Sequence, residues 1–243
     1  MLSYSFAQCL KAQIYFIQMT KGVKVLDIQA ISHNLGNDIS KALLGLHVYT
    51  GCDSVSCFKG KSKTKAFKIM IESKVFISTF EDLGKMWTID NVVMENLEMF
   101  TCELYGRKNC NNIDECRYDW LRLGGKSERM LPSNKDSLLK HILRANYQTS
   151  IYRNCLTSKI VVPSPVHHGW KISNGCLEID WMTNEPVPKT LIEHIHCKCK
   201  KTSCETLMCS CRAANLHCTE LCGCQNCNNY NLLQIQTLSD TDD

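Results

Sequence analysis

The sequence predicts an α+β fold, mainly helical, in which a helical middle region carries a β-hairpin and precedes a small C-terminal cysteine module. Three observations predict it. Apolar residues recur at helical spacing through much of residues 29–156, and an Asn174-Gly175 pair lies between two short alternating segments. Nine of the 17 cysteines fall between Cys197 and Cys227. A chain of 243 residues with 44% apolar content allows one large or two modest domains and a real core. The net charge of +4 and pI of about 8.3 make whole-chain electrostatics a weak argument for nucleic acid, so local charge must carry that case.

Gln13–Met19 (QIYFIQM) reads as a buried strand, and Lys24–Ile28 (KVLDI) as a second after a turn at Lys21 and Gly22. Gln29–Leu35 forms a short helix stopped by Gly36, and Asn37 is placed to cap an apolar helix from Asp38 to near Tyr49. A tight turn at Gly60 leads into a helix with Ala66, Phe67, Met70 and Ile71 on one face and lysines elsewhere. Residues 75–123 read as mainly helical, with apolar positions at Val92, Val93, Leu97 and Phe100 and a polar loop near 107–114. Ser133 and Asp136 make an imperfect capping box for a long helix ending near Leu156, with Leu138, Leu139, Ile142, Tyr147, Ile151 and Tyr152 in a stripe. Asn174-Gly175 then joins two short strands in which Leu177, Ile179 and Trp181 alternate with polar residues, a β-hairpin. Pro186 and Pro188 mark a linker, and the acidic tail after Tyr230 reads as disordered. These shifts divide the chain into 1–84, 85–160, 161–190, 191–230 and a tail at 231–243.

The cysteine spacing is C-x-C-x4-C-x4-C-x-C-x6-C-x3-C-x-C-x2-C, from Cys197, Cys199, Cys204, Cys209, Cys211, Cys218, Cys222, Cys224 and Cys227. Close thiolates share a metal readily, whereas disulfides at such spacings are strained. The remaining eight cysteines are scattered; Cys102, Cys110 and Cys116 lack a closing fourth ligand nearby and read as free thiols. Gln8, Lys11, Gln13 and Gln18 break any secretory layout, and no stretch approaches the roughly 20 apolar residues that span a bilayer. An intracellular, reducing setting is expected, in which thiols stay available to zinc.

Each structural zinc takes four thiolates in a tetrahedron. Nine cysteines satisfy three zinc ions if three sulfurs bridge, since they then supply twelve bonds. Nine thiolates against three Zn²⁺ leave a formal charge of about −3, which Lys198, Lys200, Lys201 and Arg212 are placed to offset. So short a segment builds no adequate apolar core, and zinc must supply most of its folding free energy.

The residues CKCKKTSCETLMCSCRAANLHCTELCGCQNCNN resemble the tesmin/TSO1-like CXC domain at all nine cysteines. The resemblance implies double-stranded DNA as a partner and a nuclear location. Family members bind DNA through tandem modules and carry, before the fourth cysteine, a tyrosine that enters the minor groove. This chain has one copy and Met208 at that position. Lys198, Lys200, Lys201 and Arg212 are then expected to contact phosphates, with salt-dependent affinity and little sequence selectivity. The alternative is a zinc-stabilised protein-interaction module.

The stretch ALLGLHVYTGCDSVSCFKGKSKTKAFKIM resembles the flap-endonuclease (XPG-like, PIN-domain) family at a Gly-x-Asp that runs into a helix–two-turn–helix element, over about residues 13–84. The resemblance implies a catalytic-metal role for Asp53 and a DNA-gripping hairpin at Gly60, with Lys59, Lys61, Lys63, Lys65 and Lys68 around it. Ser62 replaces the hairpin's second glycine, where a positive φ would be less readily adopted. Two-metal phosphodiester hydrolysis needs several acidic ligands, and before residue 54 there are only Asp27, Asp38 and Asp53. Asp38 suits a helix start and Asp27 a strand end. The expectation is therefore a truncated PIN-like remnant without self-sufficient catalysis. The competing reading is a Mg²⁺-dependent nuclease fragment whose missing acids come from upstream sequence. His167-His168, on a Pro-rich loop, reads as polar surface. The whole layout resembles animal proteins of mobile-element origin that combine these parts.

Overall fold

The computed structural model describes residues 13–19, 22–122, 130–184, 196–200, 203–214, 216–218 and 222–229. They fall into two compact units, divided between Thr183 and Asn184. The expected linker at Pro186 and Pro188 and the acidic tail lie outside the described residues.

The first unit opens with strands β1 (Tyr15–Gln18) and β2 (Lys24–Asp27), paired antiparallel with Tyr15 opposite Asp27. The expectation of a buried strand fails here, because Tyr15, Phe16 and Ile17 are exposed. A two-stranded hairpin buries its apolar side chains only where another layer covers it, and the described residues supply none over β1. Ile28 leaves the strand for helix α1 (Ile28–Leu35) and is buried. The Asp27 carboxylate accepts from the Ala30 N–H 3.0 Å away, an N-cap that satisfies a helix-end donor.

Helix α2 (Asn37–Tyr49) is the centre of the unit and packs chiefly on α4 (Lys74–Asp82) and α7 (Lys135–Arg153). Gly36, not Asn37, holds its N-cap position. Around it stand α3 (Lys63–Ile71), α5 (Asn91–Leu104) and α6 (Ile113–Arg122). Leu46, Val48, Tyr49, Phe80, Leu97, Phe100, Leu138 and Ile142 form one continuous buried cluster, so a single core runs from α2 to α7. Val92, Leu139 and Ile71, expected on apolar stripes, are exposed; Val92 lies half a turn round its helix from buried Thr101, and Leu139 and Ile71 lie about a quarter turn or more from the middle of their helices' buried faces. In α7 the cap is Asn134, whose side chain accepts from the Ser137 N–H at 2.9 Å, in place of the expected Ser133 box. Strands β3 (Trp170–Ser173) and β4 (Cys176–Ile179) form the second antiparallel hairpin, and Asn174 and Gly175 both take positive φ, as a two-residue primed turn requires.

Gly45 marks the closest approach of α2 and α4: a Cβ there would run into the backbone carbonyl of Phe80. Gly45→Ala forces two packed helices apart and is expected to cost the first unit about 2 kcal/mol. Urea unfolding followed by tryptophan fluorescence measures it; an unchanged midpoint would show that the helices separate freely.

Cationic side chains close three of the helix ends from outside. Lys63 Nζ donates to the His47 and Gly51 carbonyls, at 2.7 and 2.6 Å, at the end of α2. Lys65 Nζ donates to the Leu104 carbonyl at 2.9 Å at the end of α5, and Arg153 reaches the Phe80, Glu81 and Leu83 carbonyls at the end of α4. Each places positive charge where the last carbonyls of a helix concentrate negative charge.

Candidate metal centre

Among the described residues of the second unit the buried cluster is sulfur. Cys197, Cys204, Cys209, Cys211, Cys218 and Cys222 are buried, with Cys199, Cys224 and Cys227 packed against them. Around them the backbone is mostly irregular, with one short helix, α8 (Ser210–Ala213), among the described residues. Long-range bonds fold the loops inward: the Gly223 N–H donates to the Cys197 carbonyl, that of Cys218 to Asn229, and that of Asn228 to Ser203, each at 2.8 Å.

The Sγ atoms of Cys197 and Cys204, of Cys197 and Cys218, and of Cys209 and Cys218 lie 3.8 Å apart, and those of Cys211 and Cys222 3.5 Å. A disulfide needs about 2 Å. Zn–S bonds of about 2.3 Å in a tetrahedron put neighbouring sulfurs about 3.8 Å apart, so these separations match the edges of a zinc site. All the described cysteines are free thiols.

Three groups of four sulfurs lie with all members within 4.8 Å of one another: Cys197, Cys199, Cys204 and Cys209; Cys197, Cys204, Cys218 and Cys224; and Cys197, Cys211, Cys218 and Cys222. Cys197 belongs to all three, and Cys204 and Cys218 to two each. Cys227 lies outside these groups, against Cys218, Cys204 and Cys224. Burial pushes the Cys211 thiol up to about 12 and the Cys224 thiol up to about 11. Thiols held this way keep their protons until a cation replaces them.

Polar neighbours steer the sulfurs. The Asn229 amide donates to Cys218 Sγ at 3.5 Å and its backbone N–H to Cys227 Sγ at 3.3 Å. Such outer contacts orient ligands and favour thiolates. Sequence reasoning missed Asn229, although the Asn-Asn pair after the last cysteine was its visible signal. Lys198, Lys200 and Arg212 are exposed on this unit, and Arg212 also reaches back to the Cys204 carbonyl; Lys201 lies outside the described residues.

Residues 194–231 match the family model of the tesmin/TSO1-like CXC domain, cysteine-rich domain. The chain carries a CXC domain. Its clustered cysteines are able to coordinate metal. No curated protein and no solved structure matches the chain.

The CXC match does not reach residues 13–84, where the structure reassigns several expected contacts. Asp53 is exposed in the tight turn between Cys52 and Val55 and joins no group of metal-ligating side chains among the described residues. Gly60 does take positive φ, but Ser62 has φ −82° and caps α3 by accepting from the Lys65 N–H. Lys63 and Lys65, expected at a phosphate backbone, turn onto helix carbonyls. Lys61 lies over the Tyr105 and Trp120 rings, at 4.1 and 4.6 Å, and Lys59 is exposed. Cys102, Cys110 and Cys116 lie in the core as free thiols, and His168 stacks on Tyr147. Among the described residues no helix is long and apolar enough to cross a membrane.

Proposed function

We propose that this chain is a nuclear zinc protein whose CXC domain holds three zinc ions and binds double-stranded DNA. The observation that carries the zinc count is the overlap of the three sulfur groups. Exchanging Cys197 in the middle group for Cys227, which lies against the other three sulfurs, makes Cys204, Cys218, Cys224 and Cys227 one tetrad. Each pair of tetrads then shares one sulfur: Cys204, Cys218 or Cys197. Nine thiolates so arranged supply twelve bonds with three bridges, which is the coordination that three zinc ions need.

The DNA reading rests on exposed Lys198, Lys200 and Arg212, on Lys201, and on the CXC match. Phosphate contacts position a protein without reading sequence. Met208, 85% exposed beside exposed Leu207, stands where the resemblance puts a groove-entering tyrosine. It offers apolar contact without a phenol. The same exposed pair favours a second reading, a zinc-stabilised surface that docks protein. Residues 13–84 we read as nuclease-like and catalytically incomplete: Asp27 caps α1, Asp38 lies in the first turn of α2, and Asp53 is alone in its turn.

Native mass spectrometry of the whole chain is expected to count three zinc ions; two or none would overturn the cluster. Gel shifts with duplex DNA are expected to weaken with salt at a log–log slope of about −3 to −4, one phosphate for each basic residue. Undetectable duplex binding at low salt, with three zinc ions still held, would decide for the protein-docking reading.

A further inference from the structure

A second concave site lies in the first unit and is unused by the reading above. It encloses about 260 Å³. One wall is a stripe of α7, in which Ser137, Lys140, His141 and Arg144 follow one another at helical i, i+3, i+4 and i+7 positions. Lys59 lines it from the loop after α2, Arg117 from α6, and Ser133 from the segment before α7.

Among the described residues four cations face this cavity, Lys59, Arg117, Lys140 and Arg144, against one carboxylate, Asp180; Arg117 also donates to the Pro132 carbonyl. That carboxylate is engaged by Lys140 Nζ at 2.5 Å. Arg144 is only 7% exposed and donates to the Gly169 carbonyl at 3.2 Å, a neutral partner for a buried charge. Its guanidinium carries further N–H donors in a fixed fork. The Ser133 hydroxyl oxygen is buried and has no hydrogen-bond partner among the described residues. His141 adds no charge: its Nδ1 lies 3.2 Å from Ser56 Oγ and its Nε2 2.8 Å from the Tyr49 carbonyl. With Nε2 carrying the proton to that carbonyl, Nδ1 is free to accept from Ser56.

A small cavity with a formal excess of three positive charges, a buried arginine and an unmet hydroxyl is complementary to a compact oxyanion. Bidentate N–H donors match a carboxylate or a phosphate, and the excess of several positive charges favours the phosphate monoester, with its charge of about −2 and three acceptor oxygens. Trp181, largely exposed, lines the same cavity and offers an aromatic face to whatever the phosphate carries. We propose that this cavity binds a phosphomonoester of nucleotide size, its phosphate among Lys59, Arg117, Arg144 and Ser133 and its base on Trp181.

The test is calorimetric titration of the full-length, zinc-loaded chain with inorganic phosphate, ribose 5-phosphate, AMP and adenosine at low ionic strength. The three phosphate compounds are expected to bind, AMP tightest, and adenosine not to bind. Lys59→Gln, at an exposed position that leaves the fold intact, is expected to weaken all three by about tenfold, the loss of one charge-assisted contact. Trp181→Ala is expected to bring AMP to the level of ribose 5-phosphate and to leave inorganic phosphate unchanged. A separate variant, Arg144→Gln, is expected to abolish phosphate binding, with its circular dichroism reporting whether the fold survives. Absence of phosphate binding at millimolar concentration, or an affinity untouched by Lys59→Gln, would overturn the proposal. Binding of adenosine as tight as AMP would overturn it too.

Discussion

Cys197→Ser is expected to empty the CXC domain of zinc and unfold it, while the unit before Thr183 keeps its melting behaviour. Cys197 lies in all three candidate sulfur groups and bridges two of the three proposed tetrads, so its removal opens two sites at once. Serine keeps the size but loses the soft thiolate that zinc prefers. In zinc-finger peptides the metal contributes about 10–16 kcal/mol of apparent binding free energy, far more than the small apolar content of this domain replaces. Zinc counting by mass spectrometry, with amide exchange over residues 196–229, reads the outcome. Full zinc content in the variant would show that the shared position of Cys197 is accidental.

Acid should weaken the first unit through one histidine. His141 is buried among Tyr49, Phe58 and the Tyr49 carbonyl, and burial lowers its pKa from the ordinary 6.5 to about 4. Below pH 6.5 the unfolded chain therefore takes up a proton that the folded chain refuses. The stabilisation is whole above 6.5 and is lost as pH falls toward 4, amounting to about 3 kcal/mol over that window. His141→Gln removes the titration. Its unfolding free energy should change less across the same window than that of the parent chain, and equal pH slopes would assign the acid sensitivity to other groups.

The cysteine module was legible because ligand chemistry is written in residue type and spacing together. The Asn174-Gly175 hairpin was legible for a related reason: few residue pairs accept positive φ at both turn positions, and both do so here. Helix α7 was harder. His141, Arg144, Asn146, Thr149 and Ser150 are all buried, so the apolar stripe marks only part of its inner face. Asn146 earns its burial by bonding the Gly84 N–H and the carbonyls of Met86 and Trp87, contacts some sixty residues away that local pattern does not encode. The lysines between 59 and 68 are alike in sequence and differ in what they touch. A lysine that closes a distant helix end has the same sequence signature as one that meets solvent or phosphate, and only the fold separates Lys63 and Lys65 from Lys59. Tyr15–Gln18 is a strand as expected, but its burial failed, because no layer among the described residues covers it and an apolar run does not supply one by itself.

The overlapping sulfur groups also bear on how the CXC domain fills. If three ions share the tetrads as proposed, the first to arrive draws together thiolates that the next two need, so the later ions meet ligands already gathered. Loading should then be all-or-none, with partly filled chains scarce at any zinc level, and the domain would answer falling zinc as a switch with a threshold.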